Sequence, residues 1–316
     1  MRTAKSPPLA HAFARLGVFA LSSLCITGSL RAQSPTPTPA TSQTLVGYIP
    51  VAGSTPGSFG SFFRTTVQLL NPDASPASGR LVFHPQRVSG APTDPSLDWS
   101  LAPGQTLSYD DVVAAMGLSG TLGSIDVFVT QGAVPVVVTR IFDDAGTAGT
   151  RGFTQPFYRT TDVPAGGAGF LIGPSDTSHF RYNLGVRTLD SAVTIDVTIR
   201  GSGGNVVHTL SRAFPANFFE QDPAKDFLAG FELANDESIE LSFTGGGVIA
   251  YGATVDNTTN DPSAQFLSST GSPQVAGAQT ADIAPAVKAR RPLAPLLLVA
   301  ILAVVSIAVA GVVSRR

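Results

Sequence analysis

The sequence predicts an all-β fold: two antiparallel β-sandwich domains in tandem, held between terminal segments of a different character. Three observations predict it. Residues 45–267 form a series of short runs rich in β-branched and aromatic residues, separated by Gly, Pro, Asn and Asp, the spacing of sandwiches and barrels. The order of those runs repeats at an offset of about 110 to 117 residues, the sign of a duplicated unit. All 22 Asp and Glu lie between Asp73 and Asp282, whereas the two ends are apolar or Pro-rich and carry only basic charges.

Residues 1–32 have the three parts of a secretory signal: a basic stretch (Arg2, Lys5, Arg15), an apolar run from Leu16 to Ile26, and a cut expected after Ala32. A run of 11 mostly apolar residues is too short to span ~30 Å of hydrocarbon as an anchor. Cys25, the one cysteine, falls inside this run, so the mature chain is expected to hold neither disulfide nor thiol chemistry. Residues 33–44 are a Pro/Thr/Ser linker without enough apolar surface to build a core.

The first sandwich is assigned to residues 45–160. Its expected strands are Leu45 to Pro50, Phe62 to Leu70, Arg80 to His84, Leu97 to Leu101, Thr106 to Tyr109, Ser124 to Thr130 and Val134 to Phe142. Polar and apolar residues partly alternate from Arg64 to Leu69, as a half-buried antiparallel strand requires. A short helix is expected over Asp111 to Met116, capped by Asp110 and stopped by Gly117. Trp99 reads as core.

The second sandwich is assigned to residues 161–267 because the same landmarks return in the same order. Phe63-Arg64 is echoed by Phe180-Arg181, Ser124-Ile125-Asp126 by Ser238-Ile239-Glu240, Val136 to Asp144 by Ile249 to Asn257, and Gln155 by Gln265. The glycines from Gly167 to Gly173 read as the joint between the two units. Seven short strands per copy resemble the immunoglobulin-like and fibronectin-type sandwiches of bacterial surface proteins, at the level of pattern only, because no Cys…Trp…Cys core is present.

Residues 268–292 read as a flexible stalk, and 293–313 as a transmembrane helix: 21 uncharged residues, about 30 Å at ~1.5 Å each. Pro295 falls in its first turn, where a missing N–H costs little. Residues 314–316 form the basic tail, expected on the cytoplasmic side with the rest of the chain outside. An apolar helix closed by Arg315-Arg316 resembles the sorting signals of bacterial envelope proteins handled by exosortase-type enzymes. Arg290-Arg291-Pro292 stands where the best-known class has Pro-Glu-Pro, so retention as an anchor is expected.

The middle of the chain carries 11 basic against 22 acidic residues, which disfavours nucleic acid as a partner. Catalytic signatures are absent: His84, His179 and His208 lack metal-site spacing and read as surface or strand-end residues, and no serine sits in a G-x-S-x-G frame. The loop Asp256-Asn257-Thr258-Thr259-Asn260-Asp261 gathers carboxylate and amide oxygens. Such a loop suits either a turn held by its own side chains or a calcium site made by Asp256, Asn257, Asn260 and Asp261. Phe59, in the glycine-rich stretch Gly57 to Ser61, is expected to be exposed as a binding residue. The expectation for the whole is an exported, membrane-tethered binding module with no catalytic site, recognising an extracellular protein or glycan, or else a structural spacer of the cell envelope.

Overall fold

The computed structural model describes residues 42–267 and the short strand Gln274–Val275. The signal, transmembrane and basic-tail expectations lie outside the described residues, as do most of the linker and of the stalk; Thr44, the last residue of the expected linker, already begins a strand, and Gln274–Val275 of the expected stalk form one. Among the described residues no helix is long and apolar enough to cross a membrane. The fold is all-β, with antiparallel pairing throughout.

In the first half, β1 (Thr44–Pro56), β2 (Phe62–Leu70), β3 (Ala77–Pro85), β4 (Ser96–Leu101), β5 (Thr106–Tyr109), β6 (Thr121–Gln131), β7 (Val136–Asp144), β8 (Thr150–Gln155) and β9 (Tyr158–Arg159) make one hydrogen-bonded sheet. Its path runs β4-β3-β6-β1-β2-β7-β8. Strand β1 carries the path from one layer to the other: two register shifts bend it, residues up to Ser54 pair with β6, and Ser54 to Pro56 pair with β2. The layers close over Ile49, Val67, Leu81, Phe83, Trp99 and Ile125. Helix α1 (Val112–Ala115) is capped by Asp111, whose carboxylate accepts from the Ala114 N–H; Asp110, the expected cap, precedes it by one residue.

The second half contains β10 (Ala165–Ile172), β11 (Phe180–Thr188), β12 (Val193–Arg200), β13 (Val206–Phe214), β14 (Phe219–Pro223), α2 (Ala224–Phe227), β15 (Ser238–Asp256) and β16 (Pro262–Phe266), and β17 (Gln274–Val275) pairs with β16. The 19-residue β15 serves both layers. Its first part pairs with β10 and β12, its second with β11 and β16, and the change falls at Gly245-Gly246-Gly247, where Gly245 has φ 106°. The glycines of 167–173 are thus mostly strand, in β10, and not a joint: backbone pairing to β15 holds them although they offer little side chain to pack.

The pairs β1–β6, β3–β6, β3–β4, β2–β5, β2–β7 and β7–β8 recur as β10–β15, β12–β15, β12–β13, β11–β14, β11–β15 and β15–β16. Registers recur too: Phe83 faces Ile125 as Ile199 faces Ile239, and Thr139 faces Gln155 as Gly252 faces Gln265. Both glutamines do the same work. Gln155 accepts from the Val51 N–H at 3.4 Å and donates to its carbonyl at 2.6 Å, while Gln265 makes the same two bonds to Ile172, both at 3.0 Å.

A third apolar cluster joins the halves. Tyr48, Val51 and Phe153 from the first pack with Phe219, Tyr251 and Phe266 from the second. Gly185 makes this possible locally, because a Cβ there would stand 2.1 Å from the Tyr251 ring.

Candidate functional site

Among the described residues several polar contacts cross between the halves, Arg87 with Asp222 and Arg151 with the Thr259 carbonyl among them, and two larger arrangements stand out, one sealed and one open. The sealed one runs from Asp94 through His84 and Asp126 to Arg187 and Asn217. His84 Nδ1 lies 2.6 Å from Asp94, its Nε2 faces Asp126 at 3.1 Å outside good hydrogen-bond geometry, and Arg187 donates to Asp126 at 2.9 Å. His84 is therefore a strand-end residue, next to last in β3, but buried and not at the surface. Burial works to raise the Asp126 carboxyl, yet the His84 ring and the Arg187 guanidinium outweigh it and hold the group below its ordinary range. Arg187, 1 % exposed, also lies 6.0 Å from the Tyr48 ring, whose hydroxyl is pushed up to about 12 by burial and by Asp126. Ser124, the strand partner of His84, is equally buried. His84, Asp126, Arg187 and Ser124 are closed to any substrate in this state, while Asp94 and Asn217 at the two ends are partly exposed, and the geometry is that of a fastening between the halves.

The open arrangement is a cleft of about 520 Å³ between the same two halves, within the range of small-ligand sites. Its first wall comes from β1, β2, β7 and β8, including Val51, Phe63, Ile141 and Phe153. Its second wall comes from β11, β14 and β15: Asn183, Gln221, Tyr251 and Ala253, with the Tyr251 hydroxyl donating to Gln221 at 2.7 Å. Alternation along antiparallel strands places these residues on the faces turned away from each half's own core.

The rim brings together the two features that the sequence singled out separately. Phe59 sits in the tight turn Ser58–Gly60 with φ 55°, ψ 34°, uncommon for an aromatic residue, and is 68 % exposed. Gly57 and Ser61 close that turn by a backbone bond of 2.9 Å, and Asp143 anchors its exit by accepting from the Phe62 N–H at 2.8 Å. The Phe59 carbonyl accepts from Asn260 at 3.1 Å, and the Arg181 guanidinium lies 5.4 Å from the Phe59 ring centroid. No motif marked Arg181 in the sequence; its position beside the repeated phenylalanine was the only signal.

The loop after β15 is held as a turn by its own side chains and backbone. One Asp256 oxygen accepts from the N–H groups of Thr258 and Thr259, at 2.7 and 2.6 Å, which holds its carboxyl below the usual range. Asn257 and Asn260 turn their oxygens to Arg181 at 3.4 and 2.9 Å, and that positive charge opposes a cation at the same place. The Asp261 N–H donates to Thr259. Among the described residues no group of three or more His, Cys, Asp or Glu is arranged to hold a metal ion. His179 is paired with Asp176 at 2.6 Å on the surface, and His208 stacks on Phe231 at 4.5 Å.

The chain matches no protein-family model, no curated protein and no solved structure.

Proposed function

We propose that the chain is an exported, membrane-anchored binding module of the cell envelope, which takes its partner, an extracellular protein or a glycan, at the cleft between two tandem β-sandwiches of immunoglobulin-like type that arose by duplication. The signal-like N-terminus and the uncharged stretch 293–313 support the location, and the repeated pairing of β1–β8 in β10–β16 supports the duplication. The immunoglobulin comparison extends to the two-layer antiparallel architecture only, since here one continuous hydrogen-bonded path, β4-β3-β6-β1-β2-β7-β8, runs through both layers, whereas the immunoglobulin fold divides its strands between two separate sheets.

The observation that carries the binding reading is Phe59: a large apolar side chain, exposed and held in a left-handed turn at the mouth of a cleft with aromatic walls. The test is retention of an envelope component by the full-length chain. Ala253→Trp, which fills the cleft from its wall, is expected to abolish retention that the wild type shows. Equal retention by both proteins overturns the cleft as the site.

A structural subunit of an envelope assembly is the second reading, and one observation favours it. Val136 and Val138, 48 and 44 % exposed, lie where β7 extends beyond its pairing with β8, leaving an apolar free edge. That reading predicts self-association at micromolar concentration, lost in Val136→Lys/Val138→Lys; the binding reading predicts a monomer.

A further inference from the structure

The duplicated pairing supplies an internal control for the arginine at the cleft mouth. Arg64 and Arg181 each follow a phenylalanine that faces an aspartate across the ladder: Phe63 faces Asp143, and Phe180 faces Asp256. Arg64 is neutralised twice, by Asp144 at 3.2 Å and by the α1 cap Asp111 at 3.8 Å. At the corresponding places in the second half stand Asn257, which follows Asp256 as Asp144 follows Asp143, and Pro223, the cap position of α2. Both carboxylates have been exchanged for uncharged residues while the arginine is present.

Arg181 instead donates to the Asp256 carbonyl at 3.3 Å, to Asn257 at 3.4 Å and to Asn260 at 2.9 Å, all neutral acceptors. The charges facing it are Asp143 and Asp256, which act through space. Neither forms an ion pair with it among the described residues, and each has an oxygen engaged by backbone N–H groups. The guanidinium is half-buried and its pKa is lowered by that burial. A partly dehydrated cation with no direct ion-pair partner is costly, and the through-space charges and the Phe59 ring offset only part of that cost. Three hydrogen bonds leave part of its five-donor fork free for a planar, two-oxygen anion.

We propose that the cleft takes an organic carboxylate with an aromatic or aliphatic body, the carboxylate on Arg181 and the body against Ile141, Phe153 and Ala253. This deepens the cleft reading above and rests on it. The acidic middle of the chain repels anions at long range, but beyond roughly 8 Å that repulsion is screened at physiological salt, so the local guanidinium decides.

The experiment is calorimetric titration of the full-length chain with 3-phenylpropionate and with its uncharged analogue 3-phenylpropanamide. The wild type is expected to bind the carboxylate at least tenfold more tightly than the amide. Asn257→Asp, which restores the counter-ion of the first half and leaves the arginine in place, is expected to erase that preference, as is Arg181→Gln. Arg181→Lys keeps part of it and Arg64→Gln keeps all of it. Equal affinity for acid and amide overturns the anion assignment while the cleft reading stands. A preference that survives Asn257→Asp and Arg181→Gln overturns it as well. So does a wild type that binds neither probe, the cleft itself being judged separately by the Ala253→Trp retention experiment.

Discussion

At the scale of single residues, the contact between the halves depends on charges that are out of reach of water. Asp126 sits inside the apolar run Ile125 to Val129, and Arg187 directly follows another, Leu184 to Val186; each is nearly fully buried. Removing one member of a buried pair leaves the other uncompensated, which typically costs about 3 to 5 kcal/mol. Arg187→Met is therefore expected to lower the unfolding free energy of the full-length chain by about 3 kcal/mol near pH 7, as read by chemical denaturation. Because the folded fold holds Asp126 below its ordinary value, its contribution is complete above about pH 4 and is lost as pH falls through the folded value. The gap between wild type and Arg187→Met should then narrow in acid; a gap independent of pH would mean that the pair does not carry the stability. A charge inside an apolar run was the available sequence signal for this pair, but nothing in either run says that the two meet. Phe59 was legible because glycines flank it, and the loop from Asp256 because Asp and Asn crowd there. Arg181, which joins them, carries no local mark.

Elements show the recurrence between the halves more clearly than residues do. Gln155 and Gln265 hold the last strand of each half onto the first by a two-way bond between side-chain amide and backbone. Their surroundings differ: Val51 is buried and Gln155 is 3 % exposed, whereas Ile172 is 51 % exposed. An orphaned buried N–H and carbonyl cost about 1 to 3 kcal/mol, while exposed ones regain water. Gln155→Leu is thus expected to reduce stability by about 2 kcal/mol and Gln265→Leu by much less, both measured by denaturant unfolding. Equal losses would show that the two bonds are not set apart by burial. The strong β-branched strands were readable from their runs, β2, β3, β6 and β7 among them. Strands β8 and β10 were not: Thr150–Gln155 has one large apolar residue, and Ala165–Gly169 has none, so only pairing with β7 and β15 makes them strands.

For the whole molecule, the two halves meet through an apolar cluster and a sealed charge chain, and the cleft is what that meeting leaves open. This contact was not legible in the sequence. The residues that make it, such as Tyr48, Phe153, Phe219 and Tyr251, lie on outward faces and read there as ordinary strand residues, because local pattern does not say what an outward face packs against. The functional account rests on the rim of that cleft. Its most direct test places a photoreactive phenylalanine analogue at Phe59 in cells that make the chain, with the same analogue at Ser202, an exposed turn residue, as the control. The account predicts a specific adduct with an envelope component from position 59 and none from position 202, lost when Ala253→Trp is added. No adduct from position 59, or the same adducts from both positions, would contradict it.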